Sequence, residues 1–149
     1  MYNTAWRIVK DDMEAEDVLQ ESFISAFQHL ATFQGTSTFG AWLKRIVVNK
    51  SLSVLQKRRL PTEQLEDEME EVPEEVDIQV DQGDLKEVMR AIEELPDGYR
   101  VILSLYLLEG YDHIEISEIL GISVGTSKSQ YNRAKKKLRE LLNLSHYER

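Results

Sequence analysis

Apolar residues recur at three- and four-residue intervals along most of this chain, the spacing that places them on one side of an α-helix. Beyond Asp11-Asp12, the residues Ala15, Val18, Leu19, Phe23, Ala26, Phe27 and Leu30 form a stripe that predicts one long helix with a buried face. Asp17, Gln20, Glu21 and Ile24 fall off that stripe and adjoin one another on the helix surface. A solvated acidic face accounts for the carboxylates, while Ile24 among polar neighbours leans toward a protein partner. A loop, Thr32 to Ser37, with Phe33 as its one aromatic residue, leads to another helix. Phe39, Trp42, Leu43, Ile46 and Val47 are expected to face inward there, and Lys44, Arg45, Asn49 and Lys50 elsewhere, before Lys57-Arg58-Arg59 closes the segment.

The helical pattern then stops. From about Pro61 to Gly83 there is no aromatic residue and no sustained stripe, and Glu66-Asp67-Glu68-Met69-Glu70-Glu71 is followed by Pro73 and Glu74-Glu75. Such a segment cannot bury enough apolar surface to offset the entropy of ordering it. It reads either as a solvated spacer or as an acidic strip that occupies a nucleic-acid channel. Periodicity resumes with Leu85, Val88, Met89, Ile92 and Leu95, an amphipathic helix stopped by Pro96, and a further helix is expected from about Tyr99 to Leu108.

The most specific pattern lies beyond Gly110. Asp112 is a good N-cap, Glu115 three residues on completes a capping box, and Ile116, Ile119 and Leu120 form the buried edge of a short helix. Gly121 stands where the chain must reverse, and Ser117 is small enough for two helices to cross closely. Ser123 can cap a second helix on which Tyr131, Ala134, Leu138 and Leu141 share one stripe, with Lys128, Ser129, Asn132, Arg133, Lys136 and Lys137 on the other. Two capped helices around a glycine turn, the second with a basic face, describe a helix-turn-helix and point to DNA. The blander alternative is a helical hairpin with a solvated lysine run.

A net charge of −9 changes the picture only until it is divided along the chain. Residues 1–60 hold eight Lys/Arg and six Asp/Glu, residues 61–94 two and fourteen, and residues 95–149 eight and seven. The acidity therefore belongs to the middle, and two nearly neutral modules with local basic clusters flank it. The expected fold is all-α: two small helical domains, residues 1–60 and 85–149, joined by an acidic linker at 61–84, the C-terminal domain a helix-turn-helix. There is no cysteine, which excludes disulfides and thiolate metal sites. No apolar run approaches membrane-spanning length and the N-terminus lacks the apolar core of a signal peptide, so a soluble cytoplasmic protein without membrane insertion is expected.

An aromatic loop beside a helix bearing Lys44, Arg45 and Asn49 suits single-stranded DNA, because unstacked bases can stack on rings while cations hold phosphates; Trp42 and Phe39 read more naturally as core. Enzymatic readings fare poorly. His113-Ile114-Glu115 has the histidine of a deaminase motif without its cysteines, and Gly121 to Ser129 lacks the Lys-Ser/Thr of a phosphate loop. His29 and His146 have no evident partners. No enzyme activity, cofactor or metal is expected. A dimeric helix-turn-helix repressor or activator would explain the C-terminal half and leave residues 1–60 unexplained. A helical interaction module would explain the acidity but not Lys128 through Lys137.

Taken in order, Glu16-Asp17-Val18-Leu19-Gln20-Glu21-Ser22-Phe23, then Phe33-Gln34-Gly35 with Phe39-Gly40-Ala41-Trp42-Leu43-Lys44-Arg45-Ile46, and then Gly121 through Ser129 resemble the extracytoplasmic-function sigma factors of bacterial RNA polymerase, over nearly the whole chain. The resemblance implies core RNA polymerase and promoter DNA as partners, and it leaves room for an anti-sigma factor. It implies that the helix carrying Asp17, Gln20, Glu21 and Ile24 docks on the clamp helices of the largest polymerase subunit. Phe33 and Asn49, with Lys44 and Arg45, would hold the melted −10 element and a base flipped from its non-template strand. Lys128, Ser129, Gln130, Asn132, Arg133, Lys136 and Lys137 would face the −35 element, and the linker would run toward the RNA exit channel. This chain departs from the family pattern at Gly40, where arginine is common, and at Ser127 and Gln130, where valine and arginine are common. The lost cations weaken nonspecific phosphate attraction. Because the family's first helix normally begins well before the position matching Met1, the first module is expected to be shortened at its front.

Overall fold

The computed structural model describes residues 1–58 and 85–147. Every regular element among them is helical, and the chain divides into two units, Met1–Gln64 and Leu65–Arg149. The acidic stretch at 61–84 lies outside the described residues.

The first unit is built on α1 (Tyr2–Val9), α2 (Asp12–Gln28) and α3 (Phe39–Arg58), which pack pairwise, with a short 3₁₀ turn at Leu30–Thr32. The apolar stripe beyond Asp11 leaves out α1, where Ala5, Ile8 and Val9 stand at i, i+3 and i+4 and are fully buried. Lys10 ends α1 in the left-handed region, at φ 53°, and Asp11 then caps α2 by accepting the Glu14 amide at 2.9 Å. The core is completed by Ala15, Val18 and Ala26 from α2 and by Leu43, Val47, Val48, Leu52 and Leu55 from α3. Each fully buried Val or Ile there contributes about 1.5–3 kcal/mol relative to an exposed one.

The packed side of α2 is narrower than its apolar pattern suggests. Ala15, Val18, Ser22 and Ala26 lie inside, whereas Phe23, Phe27 and Leu30, expected on the buried stripe, are exposed, Phe27 at 77%. Small side chains on the inner face let α2 approach α1 and α3 closely, which leaves the phenylalanines directed outward. Phe39 is likewise exposed, and Trp42 and Ile46 are half-buried, where an inward position was expected.

The second unit contains α4 (Leu85–Glu94), α5 (Asp97–Leu103), α6 (His113–Leu120) and α7 (Val124–Tyr147). α7 is its spine, packing on α4, α5 and α6. Val88, Ala91, Ile92, Leu95, Val101, Ile102, Leu103, Leu105, Ile116, Ala134 and Leu138 make the core. The buried guanidinium of Arg100 is held by Asp97 at 2.7 Å and by the Leu95 carbonyl at 3.3 Å, so the charge is paired rather than stranded. The helix expected from Tyr99 to Leu108 differs in detail. Its second half, Ser104–Leu108, is a π-helical turn closed by the Glu109 amide on the Ser104 carbonyl at 3.0 Å. The extra residue per turn reorients the side chains that follow.

Candidate nucleic-acid and polymerase interfaces

The helix-turn-helix forms as its caps dictate. Asp112 accepts the Glu115 amide at 2.8 Å while Glu115 accepts the Asp112 amide at 3.2 Å, the reciprocal box that starts α6. Gly121 takes φ 66° at the C-terminus of α6, a left-handed conformation that L side chains adopt at a cost. Ser123 then accepts the Thr126 amide at 3.0 Å and opens α7. Ile116 is fully buried, and Ile119 and Leu120 are half-buried.

On α7 the buried stripe runs through Ser127, Gln130, Tyr131, Ala134, Lys135 and Leu138. Lys128, Lys136 and Lys137 are exposed, and Ser129, Asn132 and Arg133 are half-buried between them and beside them. These six sit together on the outward half of the helix. Gln130 does not join them: at 7% exposure it lies inward and lines a cavity of about 260 Å³ with Gly98, Ile102, Leu120 and Ser123. Three residues after Ser127 and four before Ala134, it shares their side of the helix by period alone. Lys135, placed in no face by the pattern, is also buried, with its ammonium 4.7 Å from the centre of the Tyr131 ring. Burial, with Tyr106 beside it, pushes the Tyr131 hydroxyl up to about 12.

At the start of α6, His113 stacks on Tyr106, ring centres 4.7 Å apart, and meets Tyr131 edge-on at 5.4 Å. Its Nδ1 lies 2.8 Å from the Ser127 hydroxyl. Partial burial, and then Lys128 and Lys135, hold its pKa below the usual histidine range, with Asp112 opposing them. Nothing in the pattern singled out this partnership, because its members come from the π turn, α6 and α7.

In the first unit Phe33, Phe39 and Trp42 form an aromatic cluster: Phe33 meets Phe39 edge-on at 6.0 Å and Trp42 at 5.1 Å. Arg45 and Asn49 follow Trp42 along the same side of α3, Asn49 exposed and Arg45 half-buried. Lys44 is turned about 140° from Asn49 by the helical period and does not share that face. The cluster and Asn49 thus border one surface that could receive flat, unstacked rings.

On α2, Asp17, Gln20, Glu21 and Ile24 are all exposed, Ile24 at 58%. Met13 and Phe27, both 77% exposed, fall on the same outward stripe by helical period. The outward side of α2 therefore mixes carboxylates with large apolar side chains, a composition that suits a protein interface better than solvent. Phe23 and Phe27 were assigned to the core by their spacing, and the small inner set Ala15, Ser22 and Ala26 was the signal that could have placed them outside. Among the described residues there is no metal-ligating cluster, and no helix is long and apolar enough to cross a membrane.

Comparison with known proteins covers both units. The sigma-70 region 2 family matches residues 1–60, and the sigma-70 region 4 family matches residues 85–138. The chain is 32% identical over 147 residues to the ECF RNA polymerase sigma factor SigE of Mycolicibacterium smegmatis, covering 95% of this chain and 57% of that protein. It therefore spans little more than half the length of that relative. It is 34% identical over 134 residues to the ECF RNA polymerase sigma-E factor of Salmonella typhimurium, covering 82% of this chain and 70% of that one. Among solved structures, the sigma factor RpoE of Bartonella quintana, in complex with the anti-sigma factor NepR, shares the fold. The TM-score is 0.65 at 24% identity, with 95% of this chain and 89% of that chain covered. With two sigma-70 regions in order and relatives of one kind at 32% and 34% identity, this chain belongs to the extracytoplasmic-function family of RNA polymerase sigma factors, which initiate transcription and are not enzymes.

Proposed function

We propose that the three surfaces divide the work of promoter selection. Residues 1–60 act as region two, 61–84 as a linker and 85–149 as region four. Asp17, Gln20, Glu21 and Ile24 on α2 bind core polymerase, and Met13 and Phe27 extend that contact. Phe33 and Asn49, with Arg45, hold melted −10 DNA, and the outward face of α7, from Lys128 to Lys137, reads the −35 element. The protein works in the cytoplasm, where polymerase is. The Bartonella relative was solved with an anti-sigma factor, and a protein of that kind is a partner proposed for this chain as well.

The observation that carries this reading is the outward side of α2, where carboxylates and uncovered apolar side chains share one stripe. With a net charge of −9 and few outward cations in each unit, the chain alone attracts duplex DNA weakly, since affinity follows the phosphates neutralised. Polymerase supplies the remainder. The test is the double variant Asp17→Lys/Glu21→Lys. Both positions are exposed, so the fold persists by circular dichroism. Copurification with core polymerase and run-off transcription should fall together. Wild-type levels of copurification by the folded variant would remove the assignment of α2, and a sub-micromolar specific duplex complex formed by the chain alone would favour a repressor.

A further inference from the structure

The turn between α6 and α7 is made by Gly121 at φ 66°, with no side chain packed where its Cβ would stand. The Ile122 amide donates to the Ser117 carbonyl at 3.1 Å across the turn, and a second point of attachment ties the two helices farther along. Ser127 provides it. Its side chain is fully buried on the inner stripe of α7, one residue before Lys128 and two before Ser129, and its hydroxyl lies 2.8 Å from Nδ1 of His113. His113 is the first residue of α6, directly after the Asp112 cap, so the bond spans from the beginning of one helix to the first turn of the next. The imidazole is itself held on two sides. Tyr106 reaches it from the π turn, stacked at 26°, and Tyr131 reaches it from α7 at 65°. Tyr106 and Tyr131 also touch each other, with ring centres 4.4 Å apart.

We propose that His113 is a positioning residue for the base-reading helix: its bond to Ser127 fixes how α7 leaves the turn and thereby how sharply the −35 sequence is discriminated. The inference rests on the assignment of α7 as the −35 reader. The turn at Gly121 and the strut at Ser127 are two points that tie α6 to α7, beside the packing of the two helices on each other. Without the strut, Lys128 and Ser129 still reach phosphates, which tolerate displacement, but the side chains that meet base edges lose their register.

The test uses holoenzyme reconstituted from the full chain and core polymerase, on a promoter obtained by run-off transcription of genomic fragments. The readout is the ratio of affinities for that promoter and for the same promoter with a scrambled −35 element. Ser127→Ala deletes only the hydroxyl, His113→Phe keeps a ring for stacking and removes the bond, and His113→Asn offers Ser127 an amide group near the position of Nδ1. Ser127→Ala and His113→Phe should each reduce the ratio about fivefold, within the range of one hydrogen bond, and their combination should reduce it no further. His113→Asn should restore most of it. A purely structural role would lower stability and leave the ratio unchanged. A ratio within about twofold of wild type for Ser127→Ala, or equal losses in His113→Asn and His113→Phe, would overturn the proposal. Wild-type holoenzyme that fails to distinguish the two promoters would instead overturn the assignment of α7, and this inference with it.

Discussion

Arg58 at the end of α3 donates from Nη1 to the carbonyl of Val9 at 2.8 Å, across 49 residues of sequence, and so closes the C-terminus of α1. Its second terminal nitrogen, Nη2, pairs with Glu14 at the start of α2, which brings all three helices of the first unit to one side chain. The ion pair is half-exposed and adds little, whereas a charged donor on a helix-terminal carbonyl adds more. Arg58→Ala should lower the stability of this unit by about 1–2 kcal/mol, and Glu14→Gln by less than about 0.5 kcal/mol. Trp6 and Trp42, the two tryptophans of the chain, both lie in this unit, so urea unfolding followed by their fluorescence reports on it alone. Equal effects of the two substitutions would show that the carbonyl bond is not the important contact.

Arg58 illustrates where reading from sequence stops. Lys57-Arg58-Arg59 was legible as a basic cluster, but a guanidinium that caps a helix 49 residues earlier depends on a tertiary crossing that no local pattern encodes. The helix-turn-helix, by contrast, was legible almost residue by residue. Asp112, Glu115, Gly121 and Ser123 act within four residues of themselves, and short-range chemistry is what sequence displays. The departures are tertiary in origin. Phe23 and Phe27 are apolar at helical spacing and were assigned inward, yet the side of a helix that packs is decided by close approach, which favoured Ala15, Ser22 and Ala26. Gln130 was expected on the DNA-facing side, yet helical period places it inside, and Lys135, expected on neither face, lies inside as well. The site around His113 was invisible for a further reason: a π turn, which aims Tyr106, leaves no mark in periodicity.

Gly121 sits at φ 66° with open space around its missing side chain, so a substitution there acts through the backbone and not through collision. Gly121→Ala should destabilise the second unit by about 1–2 kcal/mol. Gly121→Asn should cost clearly less, since asparagine tolerates the left-handed region. Thermal unfolding monitored by far-ultraviolet circular dichroism tests this. If alanine and asparagine were equally harmful, backbone conformation would not be the cause.

The lowered pKa of His113 makes the second unit sensitive to mild acid. Partial burial disfavours the imidazolium first, Lys128 and Lys135 repel it next, and Asp112 partly offsets them, while Tyr106 and Tyr131 enclose the ring. The native state therefore holds this proton less tightly than the unfolded chain. The stabilisation is present above the ordinary histidine pKa of about 6.5 and is lost as pH falls through the lower folded value. Between about pH 7.5 and pH 5.5 the melting temperature of the second unit should fall more in wild type than in His113→Asn, which carries no titrating ring. An equal or larger fall in the variant would assign the acid sensitivity to other groups.

The division of α7 into an outward and an inward face makes three substitutions behave differently, and the pattern of differences tests the reading of its outward face. Asn132 lies between Lys128 and Lys136 by helical period and is half-buried, where an amide can meet a base edge. Asn132→Ala in holoenzyme should cost about 1–3 kcal/mol of discrimination at one position of the −35 element. Lys136 is exposed, as a phosphate contact should be. Lys136→Ala should weaken binding to all sequences alike and reduce the slope of log affinity against log salt by about one. Gln130 is buried and lines a cavity with Ile102 and Leu120, so Gln130→Ala should lower the stability of the second unit while the −35 preference stays as it was. A promoter library selected with each holoenzyme separates the three outcomes. A changed −35 preference in Gln130→Ala, with Asn132→Ala unchanged, would mean that the helix presents its other side to DNA.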